Sequence, residues 1–364
     1  MNRTEALVGL NMVGDIGSRR LKMLLEYFKK PQGIFGASLQ ELNGACGFSI
    51  NTANKICSFK KEEIEKEIIL AGELGLRIIA LGDPGYPYNL EEIYDPPIVL
   101  YVKGVLALQD KLSLAIVGSR TASFYGLSSA EKFAYELALR GCTIVSGMAR
   151  GIDTYAHRGA LKAKGRTIAV MGSGFKHIYP PENKSLLEEI SASGAVISEF
   201  PINAEPLKQN FPRRNRVISG LACGVLVVEA SANSGALITA DFALEQGRDV
   251  FALPGKIDSD NSFGTNGLIK QGAKLVSCLE DITDELSILD NYVPVQSSKK
   301  EASAKLDIAQ GEALLYNLIS HVPVMLDEII EKSQLHIADI STALLGLQVK
   351  KLIKELPGKQ FMRV

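Results

Sequence analysis

Residues 208–216 read Lys-Gln-Asn-Phe-Pro-Arg-Arg-Asn-Arg, a run with four cations and no acid. Guanidinium forks grip phosphate oxygens two at a time, so Arg213, Arg214 and Arg216, with Lys208, suit a phosphate-rich ligand. Asn215 can read or support a base edge or a sugar. Phe211 can stack on a base if its ring is open to solvent, as can Tyr125, Phe175 and Tyr179. A second reading stays open, in which the arginines tie loops to carboxylates such as Glu199 and Glu229. The run leads into a helix expected to start at Val217.

Five further segments share a donor-rich composition: Gly118-Ser119-Arg120-Thr121, Ser146 to Asp153, Met171 to Phe175, Glu229 to Gly235, and Pro254-Gly255-Lys256. Glycine lets a backbone approach a ligand closely, and N–H groups at a helix start bind anions. None of these segments spells a dinucleotide fingerprint. Gly118 has no second glycine before Gly126, and Gly172-Ser173-Gly174 lacks the third. The chain has no G-x-x-x-x-G-K-[ST] loop and no G-x-S-x-G elbow. Asp153 and His157 stand at i and i+4, which fits a capping carboxylate and a satisfied core histidine better than an acid/base pair.

The elements that position these segments are legible from periodicity. Short apolar runs at Arg77–Leu81, Ile98–Val102, Leu114–Val117, Thr143–Val145, Thr167–Val170, Ala195–Ile197, Val225–Val228, Val250–Ala252 and Lys274–Val276 read as strands, several buried on both faces. Helical stretches such as Leu127–Arg140 and Ala236–Gln246 alternate with them. The pattern predicts an α/β fold: a Rossmann-like, doubly wound, mostly parallel sheet over residues 59–286. In such a sheet ligands bind beyond the carboxyl ends of the strands, where the donor-rich segments fall.

Both flanks differ from this core. Residues 1–58 read as short helices around glycine turns, Gly14-Asp15-Ile16-Gly17 and, more faintly, Gly44-Ala45-Cys46-Gly47 before Ser49-Ile50-Asn51. Two such pairs look like helix-hairpin-helix motifs, open to helix packing, partner docking or phosphate contact. Residues 287–304 collect Ser, Lys and Pro and read as a linker. Residues 305–364 recover helical spacing. One helix carries Leu314, Leu315 and Leu318, a second starts after Pro323, and a third carries Ile340, Leu344 and Leu345. Val349–Leu356 is expected to extend that helix or add a turn, before Pro357-Gly358 and a strand at Gln360–Val364. This resembles a winged helix, whose partner can be protein or DNA, and it is not notably basic outside Lys350, Lys351 and Lys354.

Composition narrows the function classes. The 364 residues are 46% hydrophobic and 22% charged, ordinary values for folded domains, and the formal net charge is −1. A nucleic-acid site must therefore be a local patch. Five cysteines without a C-x-x-C pair, and four scattered histidines, argue against a zinc site or a disulfide scaffold. The start, MNRTEALVGL, has no signal-type apolar core, and no run has the length of a membrane helix. The expectation is a cytoplasmic protein.

The loops together resemble the DNA-processing protein A (DprA/Smf) family: VGSRTASFYG, VSGMARGIDTYAHRGAL, TIAVMGSGFKHIYPPEN, ISEFP, NFPRRNRVISGL, VVEASANSGALITADFALEQGRDVFALPG and GTNGLIKQGA occur in the expected order. The resemblance runs through roughly half of the chain. It implies a dimer that binds and protects incoming single-stranded DNA and loads the RecA recombinase during natural transformation and homologous recombination. No catalytic turnover and no cofactor are implied. Carried over by motif position, Ser119 and Arg120 would grip the strand backbone, and Arg150 would line the same cleft. Asn183 belongs to Y-P-x-x-N, beside Lys184, Arg213 to Arg216 to P-R-R-N-R, and Ser234, Gly235 and Thr239 to S-G-x-L-I-T. The family often carries Lys where this chain has Pro181, so Lys176 or Lys184 would have to substitute. Two alternatives are weighed beside it. One is a Rossmann-like nucleoside-phosphate hydrolase of the LOG type, whose P-G-G-x-G-T-x-x-E acid is missing from residues 232–239. The other is a scaffold that only docks partners.

Overall fold

Apolar strands feeding polar loops make a nine-stranded, mostly parallel sheet. The computed structural model describes residues 1–14, 16–46, 50–286, 310–320, 324–333, 335–350, 352–356 and 358–363. The 287–304 linker reading falls outside the described residues, as do Asp15, Gly47, Ser49, Pro323, Lys351 and Pro357. By contacts the chain divides into two compact units, Met1–Pro294 and Val295–Val364.

The first unit opens with helices α1 (Arg3–Val13), α2 (Ser18–Phe28), α3 (Pro31–Ile34), α4 (Leu39–Cys46), α5 (Ile50–Cys57) and α6 (Lys61–Glu73). The sheet follows: β1 (Arg77–Ala80), α7 (Tyr88–Glu91), β2 (Val99–Gly104), β3 (Ser113–Val117), α8 (Phe124–Leu139), β4 (Thr143–Ser146), α9 (Ile152–Lys162), β5 (Thr167–Val170), α10 (Lys184–Ser193) and β6 (Ala195–Ser198). Then come α11 (Asn210–Leu221), β7 (Gly224–Val227), α12 (Gly235–Glu245), β8 (Asp249–Ala252), α13 (Phe263–Lys270), β9 (Lys274–Leu275) and α14 (Glu280–Thr283). The strand order is β1-β2-β6-β5-β4-β3-β7-β8-β9. Strands β3 to β9 run parallel, while β2 pairs antiparallel with both β6 and β1.

Alternation along the strands explains the two helical layers. In β3, Leu114 and Ile116 join a core with α8 and α9, whereas Ala115 and Val117 join a core with α11 and α12. The central strands β3 to β7 are thus buried on both sides, which is why they read as continuous apolar runs. A third core carries Leu7, Leu10, Leu24 and Ile64 of the N-terminal helices together with Tyr101, Val196 and Ile190. Those helices share apolar packing with the antiparallel side of the sheet.

The chain winds outward from β3 to β6, then returns to the other side of β3 and winds through β7, β8 and β9. The direction reverses between β3 and β7, and at such a switch point the loops diverge and leave a crevice.

The second unit is built from α15 (Gln310–Leu318), β10 (Val324–Met325), α16 (Leu326–Ser333), α17 (Ile337–Val349), β11 (Ile353–Leu356) and β12 (Gln360–Arg363), with strand order β10-β12-β11. Leu315, Ile329, Ile340, Leu344 and Phe361 fill its core, and the arrangement is winged-helix-like. The expected helical continuation through Leu356 is corrected. Helix α17 stops at Val349, and Ile353 pairs with Arg363 in a hairpin that turns at Gly358, φ +85°. The cause is the turn at Gly358, which returns the chain so that the backbone of Ile353–Leu356 gains ladder partners in β12, with Ile353 buried and Lys354 and Glu355 exposed on this edge strand.

Candidate functional site

At the reversal between β3 and β7 lies an open cleft of about 700 Å³. The loop after β3 contributes Gly118, Ser119 and Arg120. Helix α11 contributes Phe211, Arg214 and Asn215, and the start of α12 contributes Ser234, Gly235, Ala236 and Thr239. Tyr179, Lys208 and Asp153 also line it, as does Ser231 of the donor-rich segment after β7, while Ile218 and Ile238 add apolar surface.

Most of the cationic run does not lie in a loop ahead of a helix: α11 begins at Asn210, so only Lys208 and Gln209 precede it and the rest occupies its first two turns. Pro212 is tolerated there because first-turn N–H groups have no intrahelical partner. Successive helical residues project about 100° apart, and this disperses the four charged or amide side chains from Arg213 to Arg216. Arg213 is exposed, its guanidinium 5.3 Å from the Phe200 ring centroid. Arg214 is buried at 4% exposure and donates from Nη1 to the carbonyls of Gly147 and Val170, 2.6 Å each. Its Nε has no protein partner. Asn215 donates to the Gly235 carbonyl at 3.0 Å and so pins α11 to the head of α12.

Arg216 is engaged by the protein itself. It donates to the Asp95 carbonyl and to Glu199 Oε2, and its Nε lies 3.5 Å from Asp95 Oδ2. The network extends to the N-terminal helices, since Ser18 Oγ donates to Asp95 at 2.9 Å and Asn11 donates to the Glu199 carbonyl at 3.0 Å. Glu229 has a different role: it accepts from the backbone and hydroxyl of Ser123 and holds the head of α8.

A row of rings and guanidinium groups borders the cleft. Arg120, exposed, sits 5.2 Å from the Phe211 ring centroid. Phe211 meets Tyr179 with centroids 5.9 Å apart and planes tilted by 55°. Arg150 follows, 5.8 Å from the Tyr179 ring and ion-paired with Glu182. Phe211 can lie this low because position 172 is glycine, where a Cβ would fall 2.8 Å from the ring. Tyr179 is 38% exposed and Tyr125 50%, whereas Phe175 is buried and so cannot offer a face.

The remaining candidates divide between support and periphery. Ser119 is buried, with its N–H on the Glu229 carbonyl at 2.7 Å and its Oγ accepting from the Thr121 N–H. Asn183 is buried and donates to the Met148 carbonyl and to Thr154 Oγ1, 2.9 Å each. Ser234 caps α12, its Oγ accepting from the Ala236 N–H at 3.3 Å. Gly235 is exposed at the positive end of that helix dipole, and Thr239 is buried one turn below. Lys176 and Lys184 are exposed and do not line the cleft.

Beneath the floor, Asp153 accepts from the N–H groups of Gly147 and Ala149 at 3.2 and 3.3 Å. Burial raises its carboxyl pKa, against the pull of Arg214 and those two N–H groups. Burial also draws the Arg214 guanidinium down to about 10, so it stays protonated at neutral pH. His157 is fully buried, shares a 2.7 Å hydrogen bond with Thr167, and burial lowers it to about 3. The expected roles are corrected: Asp153 closes the loop ahead of α9 and does not cap that helix, and His157 is a neutral core residue bonded at Nδ1 while its buried Nε2 has no hydrogen-bond partner. Among the described residues no group of three or more His, Cys, Asp or Glu side chains could hold a metal, and no helix is long and apolar enough to cross a membrane.

The cleft therefore offers two free cations at its rim, one buried cation in its floor, a helix start and tilted aromatic faces. Comparison with known proteins gives this arrangement a context. Residues 77–287 match the family described as DNA recombination-mediator protein A, and residues 298–359 match the DprA winged helix domain. Protein Smf of Escherichia coli is 37% identical over 360 residues, covering 98% of this chain and 94% of that one. The X-ray structure of DNA processing protein A from Streptococcus pneumoniae superposes with a TM-score of 0.68 at 37% identity, covering 78% of this chain and 97% of that one. DNA processing protein A from Helicobacter pylori, whose structure is described in terms of its single-stranded DNA binding mode, gives 0.53 at 30% identity over 60% of this chain and 98% of that one.

Proposed function

The chain belongs to the DNA recombination-mediator protein A family, and from that premise we propose that its switch-point cleft binds single-stranded DNA and that the bound strand is passed to a RecA-type recombinase. The observation that carries the reading is the pairing of Arg120 with the Phe211 ring beside Lys208 and the head of α12. Among the described residues neither Arg120 nor Lys208 is held in an ion pair. A flexible phosphate chain can lay its charges on these groups while its bases rest on Phe211 and Tyr179. A duplex hides those base faces and cannot splay them onto a tilted ring, so the cleft favours the unpaired strand.

On this reading Arg120, Lys208, Phe211 and Tyr179 touch the strand, and Arg214, Gly235 and Thr239 underlie it. Ser119, Asn183, Asn215, Arg216 and Ser234 hold the loops that make the cleft. Arg150, Arg213, Lys176 and Lys184 form an outer set of cations that a longer strand can reach. We further propose that the protein acts as a cytoplasmic homodimer through the Rossmann-like domain, which would join two clefts and raise avidity on long strands. It would protect incoming strands in natural transformation and homologous recombination. The hydrolase alternative gains nothing from the site, because residues 232–239 supply no carboxylate and Asp153 is spent on Gly147 and Ala149.

The test is a titration of the full chain with matched single-stranded and duplex oligonucleotides, run beside a recombinase filament-assembly assay on strands coated with single-strand-binding protein. The reading expects preference for the single strand and faster filament assembly. Equal affinity for both forms, or binding without any effect on assembly, would contradict its two halves separately.

A further inference from the structure

Arg150 lies next in line after Arg120, Phe211 and Tyr179, yet its fork is already filled. Its Nε donates to Glu182 Oε1 and its Nη2 donates to Oε2 at 3.1 Å, the same two-point grip that a guanidinium makes on phosphate. We infer that Glu182 is an internal competitor for the strand, a carboxylate that occupies the Arg150 fork and thereby sets the affinity and salt dependence of the cleft. The inference rests on the reading that the cleft binds single-stranded DNA.

Three observations support it. First, the pair is placed for exchange: both side chains are 52% exposed, and an ion pair in water is weakly held, so a phosphate can replace the carboxylate at little cost. The Arg216–Glu199 pair, at 11% and 7%, cannot exchange in this way without baring a buried charge. Second, the geometry is held from both ends. Glu182 sits in the short turn Pro181–Asn183, where Asn183 is bonded to the Met148 carbonyl and Thr154 Oγ1, and Arg150 lies one residue ahead of Gly151, the N-cap of α9. The fork and the carboxylate therefore face each other before any strand arrives. Third, Arg150 shares a recess with Arg120, Phe211 and Arg214, so a phosphate taking the fork continues the track of the cleft. The Arg150 hydrogen bond keeps the Glu182 carboxyl below its ordinary range, so it is a full negative charge at neutral pH.

The experiment uses the full chain and a fluorescein-labelled oligo-dT, with anisotropy titrations from about 50 to about 300 mM NaCl. Glu182→Gln keeps the size of the side chain and removes its charge. The variant is expected to bind about two- to fivefold more tightly at low salt, the worth of one exposed ion pair. The slope of log K against log salt should steepen by about 0.7, one more single-strand phosphate neutralised. In an Arg150→Gln background the same change should give no gain. Unchanged or weaker binding by Glu182→Gln overturns the inference, the latter by making Glu182 a positioning residue for Arg150. A gain that persists without Arg150 overturns it too, since the effect would then be general repulsion. Failure of the unaltered chain to bind oligo-dT would instead overturn the reading on which the inference rests.

Discussion

Replacing Arg216 with glutamine separates the structural arginine of α11 from those that can meet a ligand. The guanidinium is 11% exposed and lies between Glu199, itself 7% exposed, and Asp95. Glu199 Oε1 already lacks a hydrogen-bond partner, so loss of Arg216 leaves a buried carboxylate without its ion-pair partner, stabilised by the charge of Arg213. Breaking one side of such a pair costs about 3–5 kcal/mol. The lower end applies, about 3 kcal/mol at pH 7, because Glu199 can escape by taking up a proton and burial already pushes its carboxyl upward. Asp95, 43% exposed, adds little. The sign follows from proton uptake: the loss in Arg216→Gln should shrink on going from pH 7 to pH 5, as Glu199 becomes neutral in the folded variant. Urea unfolding of both proteins at the two pH values reads this directly. The folded variant should keep the salt slope of oligonucleotide binding. A stability loss below about 1 kcal/mol, together with a slope lowered by about 0.7, would refute the assignment and move Arg216 to the ligand.

Other substitutions probe the ring row and the buried layer. Phe211→Ala should weaken oligo-dT binding by about tenfold, within the 1–3 kcal/mol range of a stacked base, while the salt slope stays the same because no cation is lost. His157 has its folded pKa held down to about 3 against an ordinary 6.5, so unfolding takes up a proton below about pH 6.5. Its contribution is complete above that pH and is lost as pH falls from 6.5 towards 3, by at most about 1.4 kcal/mol per unit. His157→Leu should flatten that part of the stability–pH curve, and an unchanged curve would contradict a neutral buried imidazole. Gly147→Ala places a Cβ 2.0 Å from Arg214 Nη1 and should cost about 1–3 kcal/mol in chemical denaturation by overpacking the floor of the cleft.

The sheet was legible because its strands are buried on both faces, so apolar runs such as Leu114–Val117 and Val225–Val228 mark them without ambiguity. The placement of the donor-rich segments followed from the rule that open α/β sheets bind beyond their strand ends. The identity of the contacting side chains was less accessible. In one dimension Arg213, Arg214 and Arg216 look equivalent. The helix that begins at Asn210 sends one outward to Phe200, one under the floor and one towards Glu199, and only the start of that helix decides which is which. The Arg150–Glu182 pair joins residues 32 positions apart, with no local pattern to signal it. In the second unit the terminal strand is legible but its partner is not, because four residues, Ile353–Leu356, carry too little periodicity to distinguish a strand from a last helical turn.

The central claim, that the cleft between β3 and β7 carries the strand, is tested most directly by comparing the salt slope of oligo-dT binding for the unaltered chain and for Arg120→Gln/Lys208→Gln. Both residues sit at the rim, so the doubly substituted protein should melt at the same temperature as the parent. The slope should fall by about 1.4, two single-strand phosphate contacts, and affinity at low salt should drop at least tenfold. A parent-like slope and affinity in that folded protein would place the strand elsewhere and contradict the account.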